Sequence, residues 1–150
     1  MFEKWTIKSV KYLNSRIFIK FMDDNDAEYS LKCEETPRPE FGEALRKLRD
    51  DFKNFQYNPV MGIPENTRMD IHSVAFKYKD EDLKSFSPEC TIRNATGYEG
   101  ELTISDVLYP TNNKNIDQDI AAIISEANQY IAGHRAQMGL FDGDEGGKIA

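Results

Sequence analysis

Two stretches of helical periodicity, each preceded by three stretches of strand periodicity, constrain this chain more than any single motif does. In the second helical stretch Ile116, Ile120, Ile123, Ile124, Ala127, Tyr130 and Ile131 recur every three or four residues, which puts them on one helix face. In the first, Phe41, Leu45, Leu48 and Phe52 do the same, widened by Ala44 and Phe55, with Arg46, Lys47, Arg49 and Asp50 opposite. Such faces are stable only when packed, so both helices need an apolar surface to lie against. The strand-like segments offer it. In residues 16–22, Ile17, Ile19 and Phe21 alternate with Phe18, Lys20 and Met22. Residues 27–34 repeat the pattern with Tyr29, Leu31 and Cys33 inward. Residues 6–12, 68–78, 89–95 and 100–108 also read as strands.

The fold class is therefore α+β, an antiparallel sheet or two abutting sheets with both helices on one side. The order reads βββα twice, with a faint echo between Ile7-Lys8-Ser9-Val10-Lys11-Tyr12 and Ile71-His72-Ser73-Val74-Ala75-Phe76. Residues 1–133 form the folded body, in sub-units of about 1–56 and 67–133, and residues 134–150 form a tail. Pro59, Gly62 and Pro64 mark residues 57–67 as a connecting loop. Thr36 can cap the first helix, with Pro37 or Pro39 in its first turn. The second helix opens at Asn115 with Gln118 at the capping-box position, and Gly133 ends it.

Catalytic chemistry has little to stand on. The two histidines are His72, read as a strand residue that is outward or hydrogen-bonded, and His134, at a helix end where a positive ring suits the dipole. Cys33 and Cys90 have no Cys or His at ligand spacing and read as small buried residues. Asp23-Asp24-Asn25-Asp26 lacks the glycine and distal glutamate of a calcium loop, so it and Asp80-Glu81-Asp82 read as polar turns. Gly97-Tyr98-Glu99-Gly100 joins two strands and cradles no phosphate. No cofactor is expected. A metal nuclease built on carboxylates is the least favoured alternative, with no carboxylates to nominate.

Charge adds a direction. The net charge is −7, yet residues 1–22 carry Lys4, Lys8, Lys11, Arg16 and Lys20 against Glu3 alone. The acidic total opposes broad nucleic-acid binding, while a local basic face on the first two strands stays open. Trp5, Lys8, Lys11, Arg16 and Lys20 are the candidates for single-stranded nucleic-acid contact, with Tyr12, Phe18 and Phe76 as further aromatics near the cations. The start Met1-Phe2-Glu3-Lys4-Trp5 has no signal-peptide pattern and no run approaches a membrane span, so a cytoplasmic protein without membrane contact is expected.

Beyond Gly133 the chain changes character. Gln137-Met138-Gly139-Leu140-Phe141 precedes an end rich in glycine and acids. This pentapeptide resembles the clamp-binding peptide of bacterial replication and repair proteins, which has a glutamine, a variable residue, a small or acidic residue and then Leu-Phe. Met138 stands where leucine is more usual and Gly139 where serine or aspartate is. The resemblance implies docking on the sliding clamp beta subunit, with Leu140 and Phe141 in an apolar pocket, Met138 beside them and Gln137 bonding at the rim. It implies a non-enzymatic accessory protein of DNA replication, repair or recombination, of the kind found in phages and prophages. The competing reading packs Leu140 and Phe141 back on the core.

Overall fold

The computed structural model describes residues 5–53, 68–93, 96–133 and 135. The loop expected at 57–67, Phe55, His134 and the pentapeptide at 137–141 lie outside the described residues.

Alternation builds the sheet. Strands β1 (Thr6–Leu13), β2 (Arg16–Met22) and β3 (Glu28–Cys33) form a meander in which Ile17, Ile19 and Phe21 turn inward. Asn14 and Ser15 close the first hairpin with φ of 55° and 63°, the left-handed pair that suits the twist of a two-residue turn. After α1 (Pro39–Lys53), β4 (Arg68–Lys79) and β5 (Asp82–Arg93) form a second long hairpin, closed by Asp80 and Glu81 at φ 53° and 73°. Strands β6 (Glu99–Thr103) and β7 (Val107–Leu108) pair with successive parts of β5. Helix α2 (Lys114–Ile131) follows.

The result is a seven-stranded antiparallel sheet in the order β3-β2-β1-β4-β5-β6, with β7 beside β5. Its seam is the β1–β4 pair, where Ser9 faces Ala75, Val10 faces Val74 and Lys11 faces Ser73. Both seam strands carry a bulge just after an isoleucine, between Ile7 and Ser9 and between Ile71 and Ser73. A bulge reverses the inward–outward phase of everything after it. Lys11 therefore shares the outward face with Thr6.

Three expectations need correction. Strand β5 starts at Asp82 and runs through Pro88 instead of starting at Glu89. Pro88 is tolerated because its carbonyl accepts from Ile104 N at 2.9 Å, so its nitrogen side faces the junction of β6 and β7, where the ladder is interrupted anyway. The strand expected at 100–108 is broken at Asp106, whose φ is 56° and whose N–H donates to Ser87 Oγ at 2.9 Å. The second half thus holds four strands and departs from a plain βββα unit. The helix caps also differ. Helix α1 begins at Pro39, three residues past Thr36. The N-cap of α2 is Asn113, whose Oδ1 accepts from Asn115 N at 2.9 Å and Ile116 N at 3.2 Å. Asn113→Ala removes both bonds and is expected to cost about 0.5–2 kcal/mol in urea unfolding; a variant as stable as wild type would remove Asn113 from that role.

Both helices and the inner sheet face enclose one core, whose buried groups include Phe41, Phe52, Met69, Phe86, Ile116 and Tyr130. Among the described residues no helix is long and apolar enough to cross a membrane. Both cysteines are free, Cys90 buried and Cys33 half-buried.

Candidate nucleic-acid interface and tail anchor

With the helices on the inner face, the outer face of β1–β3 carries the other half of each alternation. Phe18 stands at its centre, opposite Lys11 on β1 and Lys32 on β3. The Lys32 ammonium lies 5.9 Å from the Phe18 ring centroid, a cation–π contact. Lys20 follows one pleat further along β2, between Ser9 and Ser30. Lys11, Lys20 and Lys32 form no ion pair with a described residue. Arg16 is less free, since its guanidinium meets Glu34 at 3.4 Å. Lys8 occupies the β1 bulge and is half-buried.

The other half of the sheet behaves differently. There Arg68 pairs with Asp70 at 3.1 Å, Lys77 with Asp106 at 2.8 Å, and Arg93 with Glu99. Three cations of that half are thus paired with carboxylates beside them, whereas Lys11, Lys20 and Lys32 on β1–β3 are not ion-paired, although the chain as a whole is acidic. Lys32 was missed in the sequence because the third strand was read for its inward residues; the same alternation places Lys32 outward with Phe18.

Trp5 does not belong to this surface. Its ring packs edge-on against Phe21 at 5.0 Å and Tyr29 at 5.8 Å, both on the inward face. The Trp5 backbone N–H donates to Asn128 Oδ1 of α2 at 2.6 Å. Trp5 also lines a cleft of about 530 Å³ with Tyr78, where the turn acids Asp23, Asp24, Glu81 and Asp82 converge. Phosphates are repelled from such a cleft. The phase of Ile7, two residues on, is the signal that places Trp5 inward. Tyr12, edge-on to Phe41, and Phe76, buried, also leave the basic face.

The acidic turns have structural duties. Asp23 accepts from Asn25 N at 2.8 Å, Ala27 N at 3.0 Å and the Tyr29 hydroxyl at 2.9 Å. The Ala27 N–H in particular holds its carboxyl below the usual range. Among the described residues no group of three or more His, Cys, Asp and Glu is placed to hold a metal ion. His72 occupies the β4 bulge, buried, with Nε2 3.2 Å from Glu101 Oε1. Glu101 also accepts from Thr91 Oγ1 at 3.1 Å, and these two bonds, His72 first, lower its carboxyl pKa. Glu101 was not legible beforehand because a bulge, and no regular alternation, turns His72 toward it. Cys90 lies on the inner face beside Ile71, and burial pushes its thiol up to about 12, which leaves it unreactive.

The last described residue is an anchor. Gly133, at φ 103°, closes α2 by donating to Tyr130 O at 3.0 Å. Arg135 then lays its guanidinium 3.6 Å from the Tyr130 ring centroid, donates from Nε to Glu35 Oε1 at 2.7 Å, and bonds Tyr130 O through Nη1. The chain is therefore fastened to the body two residues before Gln137. Gln137, Met138, Leu140 and Phe141 themselves lie outside the described residues.

No family model matches this chain, and comparison with curated proteins and with solved structures finds no match either.

Proposed function

We propose that this is a non-enzymatic accessory protein of DNA metabolism that docks on the bacterial sliding clamp through Gln137, Met138, Leu140 and Phe141. The observation that carries the reading is the order along the chain: Arg135 is fastened to the body, and the pentapeptide begins two residues later. A docking peptide needs a defined point of departure and apolar side chains that the body does not require. Burying one such side chain in a partner pocket contributes about 1.5–3 kcal/mol. A short peptide that orders on binding gives back part of that gain, so a dissociation constant on the order of micromolar is expected.

Titration calorimetry with purified clamp is the test. The full chain is expected to bind, and Leu140→Ala with Phe141→Ala to weaken binding at least about a hundredfold. Deletion of residues 137–150 should remove the heat altogether while leaving the melting temperature in place. Equal heat from the deleted protein overturns the proposal. A lowered melting temperature in the double variant favours instead a pair packed back on the core.

A further inference from the structure

We propose that the outer face of β1–β3 binds single-stranded DNA, with Phe18 as the base-stacking platform and Lys11, Lys20 and Lys32 as phosphate contacts. Among the described residues no helix covers this face. Phe18 is half-buried there, flanked across both neighbouring strands by lysines in register. An aromatic ring among cations on an open sheet is the chemistry that holds an unstacked base and its backbone together. None of the three ammonium groups forms a salt bridge with a described carboxylate, and Lys11 feels Glu101 only as a nearby charge, so a phosphate has no ion pair to break on arrival. On β4–β6, Arg68, Lys77 and Arg93 are already paired with Asp70, Asp106 and Glu99, which weakens the attraction of that half of the sheet. The acid-lined Trp5 cleft repels a polyanion from the other aromatic group.

A duplex hides its base faces, so the surface selects single strands. The choice of DNA over RNA rests on the clamp-docking reading above; the phosphate and base chemistry is independent of it. The two are tested apart, because the experiment here contains no clamp.

The experiment is a fluorescence-anisotropy titration of the full chain with a labelled oligo(dT) of about twelve nucleotides. At about 50 mM salt the dissociation constant is expected near 10–100 µM. Three phosphate contacts give a slope of log K against log salt of about −2, so about 200 mM salt weakens binding roughly twentyfold. Phe18→Leu is expected to weaken binding about tenfold. The combined Lys11→Gln, Lys20→Gln and Lys32→Gln variant, altered only at outward positions, should lose most of the affinity and all of the salt slope. Trp5 emission should not change, since Trp5 faces the other side. Equal affinity for duplex DNA, wild-type binding by the lysine variant, or Trp5 quenching that persists in Phe18→Leu each overturns the proposal. Tighter binding to oligo(rU) overturns the assignment to DNA.

Discussion

Tyr130→Ala is expected to leave the protein at the edge of unfolding. Tyr130 is 1% exposed, and its ring sits edge-on to Phe41 with centroids 6.2 Å apart. Its hydroxyl donates to Glu35 O at 2.7 Å, and Arg135 stacks on its outer face. Truncating a buried aromatic to alanine costs about 3–5 kcal/mol, and the lost hydrogen bond adds about 1 kcal/mol. Domains of this size hold only about 5–15 kcal/mol in total. At roughly 2–4 °C per kcal/mol, the melting temperature should fall by about 10 °C or more. Tyr130→Phe keeps the ring and removes only the hydroxyl, with its bond to Glu35 and its contact with the Cys33 thiol, so its loss should be about 1–2 kcal/mol. Urea unfolding of the pair separates packing from hydrogen bonding. Equal losses would mean that the ring contributes nothing beyond its hydroxyl.

The second large effect is a dependence on pH. Asp119 projects from α2 toward α1 and is 6% exposed. Burial, and then the hydrogen bond and charge of Asp51, push its carboxyl up to about 8. Asp50 adds to the rise and Lys47 opposes it. Its Oδ2 is buried without a partner, which a shared proton between the two carboxyls resolves. The unfolded chain releases this proton near 3.8, the ordinary aspartate value, whereas the folded chain keeps it to about 8. Across that window the folded state binds the extra proton, so stability falls as pH rises. Below the window Asp119 contributes no difference. Above it, the folded chain carries the whole penalty of a buried charge beside Asp51. Asp23 and Glu101, whose pKa values are lowered, work in the opposite sense, but their loss sets in only as pH falls below the ordinary carboxylate range. Unfolding free energy should therefore decline from about pH 5 to pH 9 by on the order of a few kcal/mol. Asp119→Asn should flatten the decline and exceed wild type at the alkaline end. Parallel profiles for the two proteins would remove Asp119 as the cause.

Much of the architecture was written in local periodicity. The stripe from Ile116 to Tyr130 could only be a helix with one buried face, and Ile17, Ile19 and Phe21 could only be one side of a strand. These patterns are legible because side-chain direction repeats every two or 3.6 residues, whatever the chain does elsewhere. The polar turns at Asn14-Ser15 and Asp80-Glu81 were legible for the same reason.

What alternation could not carry was phase across irregularities and adjacency across distance. The bulges at Lys8 and His72 turn Lys11 outward and bring His72 to Glu101, and a bulge has no periodic signature. Strand β5 passes through a proline that sequence statistics treat as a stop, because the hydrogen bond it forgoes faces a break between two other strands. The candidate site divides along the same line. The pentapeptide Gln137-Met138-Gly139-Leu140-Phe141 and the excess of lysine in the first strands belong to the sequence alone. That Phe18 meets Lys11 and Lys32 while Trp5 turns away to the acidic turns was decided by strand pairing. Periodicity sets the direction in which each side chain points. Only the register between strands, set by long-range hydrogen bonds and a shared core, sets which side chains meet.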